Sequence, residues 1–187
     1  MSAFLGNIHY WLYGKIQYLQ KINEELLKNS SLDQTKYITN IPYALPLEKV
    51  IDLNHIHDSL NHLIVDVENR HAAILKELFI YQTEDEIKKT YYQLGQKESI
   101  AFDHINQAFE GIHRYLLDGM PCDQGIDIIM QEEDQILFEY DPLVHSSILP
   151  FYQIQSLRNA WIEGFLSQSK ITLVPLSDTQ YRLTMEE

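Results

Sequence analysis

From Asn54 to Tyr81 the sequence NHIHDSLNHLIVDVENRHAAILKELFIY contains neither glycine nor proline. Leu60, Leu63, Ile64, Val67, Ile74 and Leu78 fall on one face at about 100° per residue, the spacing of an amphipathic helix. Such a helix is about 40 Å long, so the other elements must pack along it rather than around its ends. It also carries His55, His57, His62 and His71, half of the chain's 8 histidines.

Other helices are expected around it. Residues 4–28 place Phe4, Ile8, Trp11, Leu12, Leu19, Ile22 and Leu26 on one face. The polar segment 28–46 reads as a connector long enough to cross over, with a short helix starting at Pro46. Thr83 and Glu86 form a capping-box pattern opening a helix to about Lys97. Gly95 and the following QKES suggest a break before a helix over 99–117, although one helix from 84 to 117 also fits. Gly119 and Pro121 end that segment. Residues 123–140 read as a broken helix and 151–168 as the last one. ITLVPL and QYRLTM alternate in polarity across Ser177-Asp178-Thr179, a hairpin signal in which Pro175 restricts its strand to an edge. The expectation is a mostly α single domain, a bundle of five to six helices over 1–169 with a β-hairpin tail over 170–187.

Acidic residues number 27 against 14 basic ones, for a net charge of −13. That surface repels phosphate backbones and anionic headgroups, so neither nucleic acid nor a membrane is expected as a partner. No stretch is apolar enough for a membrane span, and MSAFLGNIHYWLYGK lacks a basic leader segment, so a soluble, cytoplasmic protein is expected. Cys122 is the only cysteine, which removes disulfides and multi-cysteine metal sites. No phosphate-binding glycine loop, nucleophile elbow or His-Glu-x-x-His motif occurs, and no cofactor is indicated.

Two Glu-x-x-His pairs, Glu68/His71 and Glu110/His113, invite comparison with ferritin-like and DinB-like bundles, an analogy of fold only. Helical phase puts His71 near the centre of its apolar face, His57 at the edge and Glu68 on the flank. His113 lies about 80° from the centre of its face and Glu110 about 140°. His9 and His104 complete the histidines that such a bundle would draw on, and only His71 is expected well inside. His55, His62 and Asp66 share a stripe expected to face solvent. A metal site would therefore use His71 and Glu68, supported by His57 or His113.

Arg158 falls within about 20° of the centre of the face formed by Ile154, Trp161, Ile162 and Phe165. A buried guanidinium cannot shed its proton and needs a carboxylate, either as a structural pair or as part of an anion-recognising pocket. Glu68, Asp123, Glu133, Asp134 and Asp141 are the expected candidates. Cys122 sits at an expected helix N-terminus, where a thiolate is favoured, with His145 or His71 as base.

The segments FLGNIHYWLYGKI (4–16), LLDGMPCD (116–123) and LRNAWIEGFL (157–166) resemble a group of uncharacterised bacterial hypothetical proteins. The resemblance spans most of the chain and implies a shared all-helical domain, without an activity or a site residue. The reading favoured by the residues is a helical module that binds a small, anionic ligand through Arg158, His71, Glu68 and Cys122, or else a partner protein. The 12 tyrosines and 2 tryptophans suit a ligand-lining surface or self-association into a homo-oligomer. The alternatives are a metal-dependent protein using His71 and Glu68, and a cysteine enzyme using Cys122 with Arg158 as anion anchor.

Overall fold

A computed structural model describes residues 4–120, 125–144 and 150–185. Among these the chain forms α1 (Asn7–Lys28), α2 (Ile56–Tyr81), α3 (Glu84–Lys97), α4 (Ile105–Tyr115), β1 (Ile126–Gln131), β2 (Gln135–Tyr140), α5 (Phe151–Phe165), β3 (Ile171–Pro175) and β4 (Gln180–Met185). No described helix is long and apolar enough to cross a membrane.

The long connector between α1 and α2 doubles back along both helices, which therefore run parallel. Its contacts trace the path: Lys36 and Tyr37 meet Glu77 near the end of α2, Tyr43 meets Asp66, and Leu45 accepts from Tyr13. At the far end Tyr10 meets Glu48, and His9 packs on His57. The short helix expected to start at Pro46 is a single 3-10 turn, Leu47–Lys49, with Pro46 at its N-cap.

Thr83 caps α3 with the reciprocal Glu86 bond that the sequence pattern requires. Residues 84–117 are two helices, separated at 98–104. The packing of α3 on α5 depends on two glycines. A Cβ on Gly95 would lie 2.0 Å from the Trp161 carbonyl oxygen, and one on Gly164 would lie 2.1 Å from that of Tyr92. The two backbones thus touch directly, which only a residue without a side chain permits.

The expected helix over 123–140 is instead a β-hairpin, and the sheet is larger than a C-terminal hairpin. Four antiparallel strands lie in the order β1-β2-β4-β3, with Phe138 opposite Tyr181 and Ile136 opposite Leu183. Along β2 the buried residues Ile136, Phe138 and Tyr140 alternate with Gln135, Leu137 and Glu139, a period of two. The acidic cluster supplies the turn. A short apolar run does not distinguish the two periods by itself, which is why IDIIMQ and QILFEY read as helix. The all-helical domain implied by the family resemblance is corrected in the same way. Pro175 does end an edge strand, as its missing N–H demands.

The main core joins the second halves of α1 and α2 to α3, α4, α5 and the sheet, and a smaller cluster fills the first halves of α1 and α2 beneath the connector. Leu19 packs against both.

Candidate functional site

Arg158 lies where helical phase places it, among the buried Ile154, Leu157, Trp161, Ile162 and Phe165, and is itself buried. One Nη donates to the Leu117 carbonyl oxygen at 2.9 Å and the other to Asp118 Oδ1, while the Tyr140 ring stacks 5.1 Å from the guanidinium carbon. Among the described residues the carboxylate it meets is Asp118, which is absent from the expected set. Asp118 follows α4 in a turn, where no helical period marks it as inward. Glu133 and Asp134 are exposed on the β1–β2 turn, and Asp123 lies outside the described residues.

Asp118 has a second cation. Its Oδ2 faces Lys15 Nζ at 3.5 Å, and His113 Nδ1 lies 3.9 Å away, too far for a hydrogen bond. Lys15 is only 4% exposed and rests its ammonium 4.1 Å from the centre of the Trp11 ring. Burial pushes its pKa down, Asp118 pulls it back up, and Arg158 pushes it down again. The sequence did carry a signal for Lys15. It stands between Trp11 and Leu19, four residues from each, within the apolar stripe of α1.

His71 belongs to a separate network. Asn23 donates from Nδ2 to the Val67 carbonyl oxygen at 3.3 Å, which orients its amide and turns Oδ1 toward His71 Nδ1 at 2.7 Å. His71 therefore donates from Nδ1 and accepts on Nε2 from the Tyr91 hydroxyl at 2.9 Å. Burial raises the Tyr91 pKa, which keeps that hydroxyl a donor. Both imidazole nitrogens are thus engaged, and the ring's one in-plane lone pair, on Nε2, is taken by the Tyr91 hydroxyl.

The other nominated ligands are dispersed. Glu68 is buried one turn before His71 on α2. His57 is exposed at the start of the helix, about 20 Å from His71, and its ring meets that of His9. His113 is more enclosed than its phase implied. Its ring packs against Phe109, Phe138 and Tyr140, because the sheet covers the flank of α4 that a helix-only fold would leave open. Burial holds its pKa below the ordinary imidazole value, partly offset by Asp118, with Lys15 and Arg158 lowering it further. His55 pairs with Asp52, and Asp66 accepts from Tyr43 and Arg70. Among the described residues no group of three or more His, Cys, Asp or Glu is placed to hold a metal ion. Cys122 and His145 lie outside the described residues.

What the structure does bring together is His71 and Arg158. With Tyr91 they line one cavity of about 40 Å³, whose remaining walls are Leu19, Ile22, Tyr115, Leu116, Leu117 and Ile154. That is space for about three waters, or for a compact organic molecule of a few heavy atoms. Apolar walls with a few convergent polar groups are the usual make-up of a small-molecule site. No family model matches the chain, and no curated protein or solved structure matches it.

Proposed function

We propose that this protein is a binding module for a compact, largely apolar molecule with one anionic end, held in the cavity between His71, Tyr91 and Arg158. The observation that carries this reading is the convergence of His71 from α2, Tyr91 from α3 and Arg158 from α5 on one apolar-walled cavity. A guanidinium is permanently charged, and its planar fork suits a carboxylate. His71 and Tyr91 hold each other in one orientation, so the polar part of the wall is preorganised before a ligand arrives. Chemistry within the cavity is not needed for this reading.

Straight-chain carboxylates from formate to hexanoate test it by thermal shift and calorimetry. An optimum chain length is expected, because the cavity has a fixed size. At a ligand concentration of about 100 Kd the stabilisation is about 2.7 kcal/mol. For a chain of this length that raises Tm by about 5–10 °C. Ile154→Phe, which fills the cavity and leaves its charged groups in place, should abolish the shift. A series with no chain-length optimum, or an I154F variant that binds as well as the wild type, rejects the cavity as the site.

A further inference from the structure

A second concavity, a groove of about 330 Å³, lies between α5 and the β3–β4 turn, with Lys88 of α3 on one side. Gln155 lines it, is only 2% exposed, and has its Oε1 buried without a hydrogen-bond partner. Its neighbours dictate which way that amide points. The Tyr181 hydroxyl donates to the Asp178 carbonyl oxygen at 3.1 Å, so it can only accept from the Asn159 side chain that approaches it. Asn159 therefore turns Nδ2 to Tyr181 and Oδ1 to Gln155, which donates from Nε2 at 3.2 Å. Reversing the Gln155 amide would set two carbonyl oxygens against each other, so the atom left without a partner is an acceptor. A buried acceptor with no donor destabilises a fold, and such breaches are expected at functional sites.

The charges around the groove leave one sign in excess. Lys88 is paired with Glu84 at 2.9 Å. Glu163 on α5 and Asp178 on the β3–β4 turn also line the groove, are exposed, and have no ion pair among the described residues. The chain's net charge of −13 concentrates small cations near such a surface. Tyr152, exposed in the first turn of α5, brings an aromatic face to the rim, which a cation favours. We propose that this groove binds a small organic cation with N–H donors, an ammonium or a guanidinium, whose head donates to Gln155 Oε1 while Glu163 and Asp178 balance its charge and Tyr152 covers it. The terminal torsion of glutamine is broad, so Oε1 turns toward an arriving donor at little cost. The groove and the cavity share no lining residue, so this site is independent of the cavity and selects a ligand of the opposite sign.

Agmatine, which carries a guanidinium and an ammonium, is the probe, titrated calorimetrically into the full chain at about pH 7 and about 50 mM salt. One site with a Kd below about 1 mM is expected, weakening as salt is raised to about 0.5 M. Choline, a cation without an N–H donor, should bind at least about tenfold more weakly, the loss of one charge-assisted hydrogen bond. Gln155→Met keeps the side chain's length, removes the acceptor and should weaken agmatine by about the same factor. The double variant E163Q/D178N alters exposed residues alone and should weaken agmatine about three- to tenfold and flatten its salt dependence. Choline binding as tightly as agmatine, or wild-type affinity in either Q155M or the double variant, overturns the proposal. Binding that I154F abolishes and Q155M leaves unchanged puts the cation in the other cavity and overturns it as well. No heat and no chemical-shift change up to about 10 mM agmatine leaves Gln155 to solvent water and removes the groove as a cation site, without touching the cavity reading.

Discussion

Asp118→Asn is the most informative single change in this molecule. It keeps the side chain's size and removes the negative charge that both Arg158 and Lys15 approach. All three side chains are more than nine-tenths buried, so solvent screens little of the interaction. Removing one partner of a buried pair costs about 3–5 kcal/mol, because the remaining charge is left in a poorly solvating site. For a chain of this length that is a fall in Tm of about 6–20 °C. Two cations then share the site, and this gives the prediction a second arm. Adding Lys15→Met to the Asp118→Asn background should return at least about 1 kcal/mol, whereas Lys15→Met in the wild type should be close to neutral, since it leaves the Asp118–Arg158 pair intact. Urea denaturation of the four proteins measures the cycle. A loss below about 1 kcal/mol in D118N, or no rescue in the double variant, refutes Asp118 as the shared counter-charge.

Three further outcomes are expected. Gly95→Ala gains about 1 kcal/mol of helix propensity yet should destabilise overall, because its Cβ meets the Trp161 carbonyl 2.0 Å away, backbone that cannot move aside; a more stable G95A in thermal unfolding contradicts the close crossing. His113 has its pKa depressed by burial, so the unfolded chain takes up a proton that the folded chain refuses. Stability should therefore fall as pH drops below about 6.5, with a slope of at most about 1.4 kcal/mol per pH unit from this group. His113→Phe, matched to its aromatic surroundings, should lose less stability than wild type between pH 7 and pH 5. For Lys15, also depressed, the unfolded state again binds more protons, so its contribution rises with pH up to about 10.4. The stability difference between wild type and K15M should shift in favour of the wild type from pH 7 to pH 9.5, and a flat difference contradicts a depressed Lys15.

The sequence made the helices legible where a single period ran long enough. The face of α2, the cap at Thr83 and the inward turn of Arg158 all follow from phase, as does the central place of His71. The C-terminal hairpin of β3 and β4 was legible from its alternation, whereas β1 and β2 were hidden because they are short apolar runs without a helix-breaking residue, and that omission propagated to His113, whose flank looked open. Asp118 was invisible for another reason. A turn residue has no periodicity, and only the arrival of α5 and α1 beside it makes it a counter-ion. Lys15 has a legible position, but a lysine within an apolar stripe ordinarily snorkels its ammonium outward. Its ammonium instead turns inward to a carboxylate on a different element.

The direct backbone crossing at Gly95 and Gly164 also bears on the cavity. Tyr91 stands one turn before Gly95, and Arg158 less than two turns before Gly164, so both are carried by helices with no side-chain cushion between them at that point. The opposite wall is of another kind, with Leu19 and Ile22 from α1 and Leu116 and Leu117 after α4. The separation of Tyr91 from Arg158 is thus set by a backbone contact that a change of rotamer cannot adjust, so a larger residue at either glycine would reshape the cavity without touching its lining.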